Sequence, residues 1–145
     1  MRTVPSAGAR HTFETYLYLA RVEGIEPGLY RYLPLDHALL LIRKGKSLER
    51  RLNAALLHQL WGAAVVFIWS TVPYRMEWRY AAVSHKVIAL DAGHVCQNLY
   101  LACESIGCAT CALGAYDQER LDAFIGVDGR DEFALYAAPV GRRKD

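Results

Sequence analysis

SHKVIALDAGHVCQNLYLACESIGCATCALGAY, residues 84–116, decides the fold. Ile88, Ala92, Val95, Leu99, Ala102 and Ile106 recur at spacings of four and three, so they share one face of a helix. Ala89, Gly93, Cys96, Tyr100 and Cys103 widen that stripe to roughly half the circumference, more than a surface helix hides. Asp91, His94, Asn98 and Ser105 fall together on another side. A helix of about 22 residues spans roughly 33 Å, the width of a small domain. It is expected to be the central helix, with room to pack on a partner chain, and Gly107 fits its C-terminal cap. Small residues then dominate from Cys108 to Ala115. Such a segment lets a flat group lie against its backbone; tight packing of helix on sheet asks for the same residues, and spacing alone does not separate the two.

The four cysteines do not read as a disulfide framework in a chain of 145 residues. Cys96 and Cys103 are seven apart on the helix, which puts their α-carbons about 10 Å apart. That is too far for one zinc ion, whose sulfur ligands sit about 4 Å from each other. Cys108 and Cys111 form a lone C-x-x-C, which suits half a metal site or a redox pair; without a second ligand pair no metal site is expected, and buried thiols are the simpler reading.

Working outward, residues 1–12 hold Pro5, Ser6, Gly8 and Arg10 and read as a loop. Its amides, the Ser6 hydroxyl and Arg10 suit a polar ligand or an ordinary N-terminal arm. Tyrosines and β-branched residues from 13 to 22 predict a strand. Turn chemistry at 23–28 leads into a returning strand at 29–33 and a third at 38–42. Ser47 is placed to cap a helix whose leucines 48, 52, 56 and 60 carry it to about Trp61. The apolar run from Ala63 to Thr71 fits a strand buried on both faces. PYRMEWRY, residues 73–80, is dense in aromatic and charged groups, and Arg75, Glu77, Arg79 and Tyr80 suit either a pocket or a solvated helical turn. After the long helix, Asp117 caps a short helix to Phe124, and residues 132–140 form a last strand. Strands and helices interleave around a hairpin meander, which predicts an α+β fold with a mainly antiparallel sheet, residues 1–145 forming one domain.

Composition sets bounds. Hydrophobic residues make up 53% and charged residues 22%, a globular balance, and the net charge of +2 gives no electrostatic footprint for nucleic acid. The N-terminal residues carry no apolar core of a signal peptide, and the longest apolar run is too short to cross a bilayer; the expected location is cytoplasmic.

Four segments, in order, carry a resemblance to the flavin-dependent nitroreductase superfamily and its SagB-type dehydrogenase branch: PSAGARHTFETYL from Pro5, GIEPGLYRYLPLDHALL from Gly24, LDAGHVCQNLYLACESIGCATCALGAY from Leu90, and LYAAPVGR from Leu135. The resemblance implies an FMN-binding homodimer with the flavin at the subunit interface and NAD(P)H as electron donor. It implies that Pro5, Ser6, Gly8 and Arg10 meet the flavin's polar side. It lays Cys111, Ala112, Leu113, Gly114 and Ala115 along the isoalloxazine, and makes Arg142 and Arg143 candidates for the phosphate. Members of the family begin with an Arg-rich phosphate clamp ahead of the Pro-Ser loop, and this sequence opens just short of that loop. The expectation is an N-terminally shortened domain, in which Arg142, Arg143 and Lys144 compensate, a second polypeptide supplies the clamp, or the fold serves as a scaffold that binds flavin weakly or not at all. Azoline-oxidising members carry a Lys-Tyr pair before the long helix; the matching residues are Arg79 and Tyr80. A guanidinium stays protonated and cannot be a base, though it can hold an anion or orient a substrate. Tyr80 is then the group of the pair that could act as acid or base, on condition that its pKa is lowered.

Overall fold

A computed structural model describes residues 2–143. Six strands form a single sheet in the order β3-β2-β1-β4-β6-β5, every neighbouring pair antiparallel. They are β1 (Phe13–Leu19), β2 (Gly28–Leu33), β3 (Ala38–Arg43), β4 (Val65–Thr71), β5 (Cys108–Thr110) and β6 (Phe133–Arg142). Four helices join them: α1 (Leu48–Ala55), α2 (Tyr74–Tyr80), α3 (Ser84–Ser105) and α4 (Gln118–Ile125).

Alternation along the strands sends two sets of side chains to opposite faces. On one face Tyr16, Tyr18, Leu29, Val66, Ile68 and Ala137 pack beneath α1 and α4, whose Leu48, Leu52, Leu121 and Phe124 complete the main core. On the other face Trp69 and Ala138 pack against Cys96 of α3, with Val95 and Leu99 beside them. β4 is flanked by β1 and β6 and covered on both sides, as its unbroken apolar run predicts.

Two elements depart from the sequence reading. The leucine period predicts a helix to about Trp61, yet α1 stops at Ala55, and Leu57, His58 and Trp61 all take positive φ. The period persists because Leu56 and Leu60 still reach the core from irregular backbone, so it reports burial rather than helix. The second departure is in α3. Its predicted length of 22 residues and the left-handed Gly107 after it (φ +68°) are as expected. Its predicted stripe is only partly covered: Ile88, Ala92, Cys96 and Cys103 are buried, whereas Ala89, Gly93, Tyr100, Ala102 and Ile106 are exposed. Asp91, assigned by pattern to the polar side, is 4% exposed. No helix among the described residues is long and apolar enough to cross a membrane.

Candidate functional site

The loop before β1 is built by short-range bonds. The His11 amide donates to Ser6 Oγ (3.0 Å), closing a ring, and Arg10 Nε donates to the Gly8 carbonyl (3.0 Å). Inside the ring Gly8, Ala9 and His11 take φ of +55°, +54° and +50°. Glycine at position 8 is required twice over. Its φ is left-handed, and a Cβ there would lie 2.9 Å from Tyr80 Oη, 3.5 Å from Arg10 Nε and 3.7 Å from Arg79 Nε. The Arg10 guanidinium also lies over the Trp78 ring, 4.4 Å from its centroid. Gly8, Arg10, Arg79 and Tyr80, predicted from two separate stretches, therefore converge on one spot.

α2 brings Arg79 and Tyr80 there and is held by charge. Glu14 on β1 accepts from Arg75 of α2 (2.6 Å) and from Arg31 of β2 (2.9 Å), while Arg75 also donates to the His11 carbonyl (3.3 Å). Burial pushes the Glu14 carboxyl up, but its bonds to Arg31 and Arg75 outweigh that and hold it below the usual glutamate value. Straight after Tyr80, Ala81 sits at φ +45°, ψ −125°, a backbone that costs an alanine about 1–3 kcal/mol and fixes the turn into α3.

Beside the loop a groove of about 700 Å³ runs between α3 and the open part of the sheet. Pro5 and Ser6 form one rim, Leu17, Phe67 and Trp69 the floor, and Val95 and Leu99 the wall. Its volume falls in the range of small-molecule sites, about 300–1,000 Å³. His11 and Asp91 stand at its polar end. Burial, then Arg2, lowers the affinity of the His11 ring for a proton, with Asp91 acting the other way. Asp91 accepts the Ala7 amide with both oxygens, each at 3.2 Å. The sequence reading missed it, although a signal exists: position 91 lies three after Ile88 and four before Val95, on the buried side of α3.

The other predicted residues lie elsewhere on the chain. Cys111, Gly114 and Ala115 are exposed, Ala112 is half-buried and its amide donates to the Tyr100 hydroxyl (2.9 Å), and Leu113 is buried across from Ala137. A Cβ at Gly114 would meet nothing within 4 Å, so this backbone is open to a flat group. The C-x-x-C is not a buried pair: Cys108 is half-buried and Cys111 exposed, and no three His, Cys, Asp or Glu among the described residues group to hold a metal. Arg142 is exposed at the end of β6; Arg143 is paired with Glu104 near the C-terminus of α3. Asp91 and Glu104 are thirteen residues apart, so this end lies about 20 Å along α3 from the Pro-Ser loop. Lys144 lies outside the described residues.

Within one chain Ser6, Gly8, Arg10, Arg79 and Tyr80 thus form a first group at the loop, and residues 111–115 a second whose Ala112 packs on the Trp69 cluster lining the groove, while Arg142 and Arg143 lie toward the far end of α3. The donor set of the first, with the Ser6 hydroxyl, the Tyr80 hydroxyl and two guanidiniums around a glycine, suits the polar and anionic parts of FMN. The second group, with its uncovered small-residue backbone, suits a planar ring.

An antiparallel six-stranded sheet with a long helix across one face and this loop at its edge defines the class of fold. The chain belongs to the nitroreductase family, whose model matches residues 1–142. A protein of Methanocaldococcus jannaschii that carries the nitroreductase name is 30% identical over 143 residues, covering 98% of this chain and 71% of that one. The trifolitoxin-processing protein TfxB of Rhizobium leguminosarum bv. trifolii is 27% identical, over 99% of this chain but 40% of its own length. A crystal structure from Anabaena variabilis, also named for the nitroreductases, superposes with a TM-score of 0.90 at 26% identity, covering 97% of this chain and 29% of that one. The chain therefore spans well under half the length of two of these three relatives.

Proposed function

We propose that the protein is an FMN-dependent oxidoreductase of the nitroreductase family, of the SagB-type branch, acting as a cytoplasmic homodimer. The single observation that carries this reading is the convergence of Gly8, Arg10, Arg79 and Tyr80 on one point, joined to family membership. FMN with NAD(P)H as donor is typical of the family; when bound, the flavin supplies hydride transfer through N5. Everything else falls to the chain's own residues.

The Ser6 hydroxyl, which accepts the His11 amide, donates its own proton to the polar edge of the cofactor. Arg10 and Arg79 neutralise anionic oxygens, and Gly8 allows their approach because it carries no side chain. The Tyr80 hydroxyl stands where a proton can be passed to or from a bound substrate. Arg79 stays charged throughout and so positions rather than abstracts. Cys111, Ala112, Leu113, Gly114 and Ala115 offer backbone to the ring. Arg142, exposed at the end of β6, meets the phosphate, and Arg143 joins it by releasing Glu104.

In the homodimer each site takes its loop from one protomer and its shelf from the other. The exposed apolar side of α3 supports this. Leu90 and Leu101 stand eleven apart, which keeps them in line along the helix, and Val83 is exposed just before its first turn. Leu90 is 54% exposed and Leu101 61% exposed in the single chain. The experiment is reconstitution with FMN, followed by desalting and an assay of NAD(P)H oxidation. Retained flavin with turnover supports the reading; colourless, inactive protein opposes it.

A second reading is a nitroreductase-like scaffold or partner subunit, to which another polypeptide contributes. It is favoured by the open groove beside Pro5 and Ser6 and by the likeness to a toxin-processing protein. Tight stoichiometric FMN in the isolated chain rules it out.

A further inference from the structure

We propose that Asp91 is a positioning residue: its carboxylate, buried on α3, sets the 5–11 loop in the geometry that holds Gly8 against Tyr80 and Arg79. This goes beyond the cofactor reading, and only the flavin arm of its test rests on that reading.

Three observations carry it. First, Asp91 is 4% exposed, yet among the described residues its hydrogen-bond partner is one backbone amide, shared by both oxygens at 3.2 Å. A buried carboxylate so thinly satisfied adds little to folding, and an apolar residue on this side of α3 would pack as well. Its use is therefore geometric. Second, the bond joins residues 84 apart, from the middle of the longest helix to the middle of the loop. The loop's ring, from Ser6 to His11, and its Arg10–Gly8 bond are internal and fix its shape but not its place. Among the described residues one further hydrogen bond reaches it from outside, Arg75 to the His11 carbonyl at its end; Asn98 donates to Thr3 ahead of it (3.4 Å), and the Arg10 guanidinium rests on Trp78. Third, the loop carries left-handed residues at Gly8, Ala9 and His11, two of them with side chains, so its conformation needs an external hold. Ala7 immediately precedes Gly8, and Gly8 has no spare room beside Tyr80 Oη. A shift of the Ala7 amide is thereby passed to the Tyr80–Arg79 pair.

Both ends of the bond can be removed. Asp91→Ala removes the acceptor and leaves the Ala7 amide in place. Ala7→Pro removes the donor and leaves Asp91 alone; Ser6 is extended (φ −144°, ψ 138°), as a residue before proline should be, and position 7 opens a 3₁₀ turn that suits the ring. The flavin-free readout is the ring-current shift that Trp78 imposes on the Arg10 side chain, with Trp78→Leu identifying the signal. Each variant is expected to lose that shift with its melting temperature close to the parent's. Each is also expected to weaken FMN binding about tenfold, and the double variant no more than either single, as for two ends of one interaction.

The proposal is overturned if either folded variant keeps the Arg10 shift and the parental FMN affinity, or if the two losses add in the double variant. Should Asp91→Ala fail to fold, Ala7→Pro decides alone. Should the parent take up no FMN, the cofactor reading fails, while the Arg10 shift still decides the role of Asp91.

Discussion

Glu14 is the residue on which the placement of α2 turns, because it holds Arg75 and Arg31 at once. Its folded pKa lies below the ordinary 4.5. A depressed carboxylate contributes stability that is fully present above the unfolded value and is lost as pH falls through the folded one. Unfolding stability should therefore decline on acidification below pH 4.5, and Glu14→Gln should flatten that decline. The substitution should also cost about 1–2 kcal/mol near neutrality, since it leaves two guanidiniums with a weaker acceptor. Denaturant titrations across pH on both proteins measure this; equal acid sensitivity would remove Glu14 from the account. Gly8 gives a second prediction at this scale. Gly8→Ala places a methyl 2.9 Å from Tyr80 Oη in a left-handed backbone, so it should destabilise by about 1–2 kcal/mol and abolish the contact with Arg79 and Tyr80. Parental thermal stability with unimpaired flavin uptake would show that the loop does not sit where described.

Among the elements, α3 and α4 were legible for different reasons. The four-and-three spacing of α3 gave its length and its cap. It did not tell which apolar positions meet the sheet, because a helix that serves two surfaces shows one broad stripe. That is why Ile106, counted with the core, is 72% exposed, and why Asp91 was assigned to the wrong side. α1 was overextended because leucine spacing reports burial, and Leu56 and Leu60 are buried from non-helical backbone. Asp117 was read as a cap and is one: its side chain accepts from the Arg120 amide at 3.1 Å. Asp117→Ala should cost about 1 kcal/mol, near 2–4 °C in melting temperature for a chain of this size. Calorimetry checks it, and an unchanged melting temperature would mean that α4 is fixed by packing alone. For α3, Leu90→Glu with Leu101→Glu puts charge on the exposed line. If that line is the subunit interface, the double variant should run as a monomer and lose flavin together with its partner; dimeric double variant would move the interface elsewhere.

At the scale of the molecule, the sequence carried the sheet, the long helix and the separate pieces of the site. It did not carry their juxtaposition. Gly8 and Tyr80 are 72 positions apart, and their contact depends on Asp91 and Glu14, whose partners are set by tertiary packing alone. The thiols of the C-x-x-C were expected inside and are partly outside, because β5 is a short edge strand with α3 over one side only. The loop and the shelf border one cluster around Trp69 within the chain, and the proposed dimer pairs each with its counterpart on the partner.

The most direct test of that claim is the visible absorption spectrum and mass of the protein after incubation with FMN and removal of free flavin. The account predicts a dimer that keeps about one flavin per chain, with bands that bleach when NAD(P)H is added without oxygen. A colourless monomer of unaltered fold would contradict it.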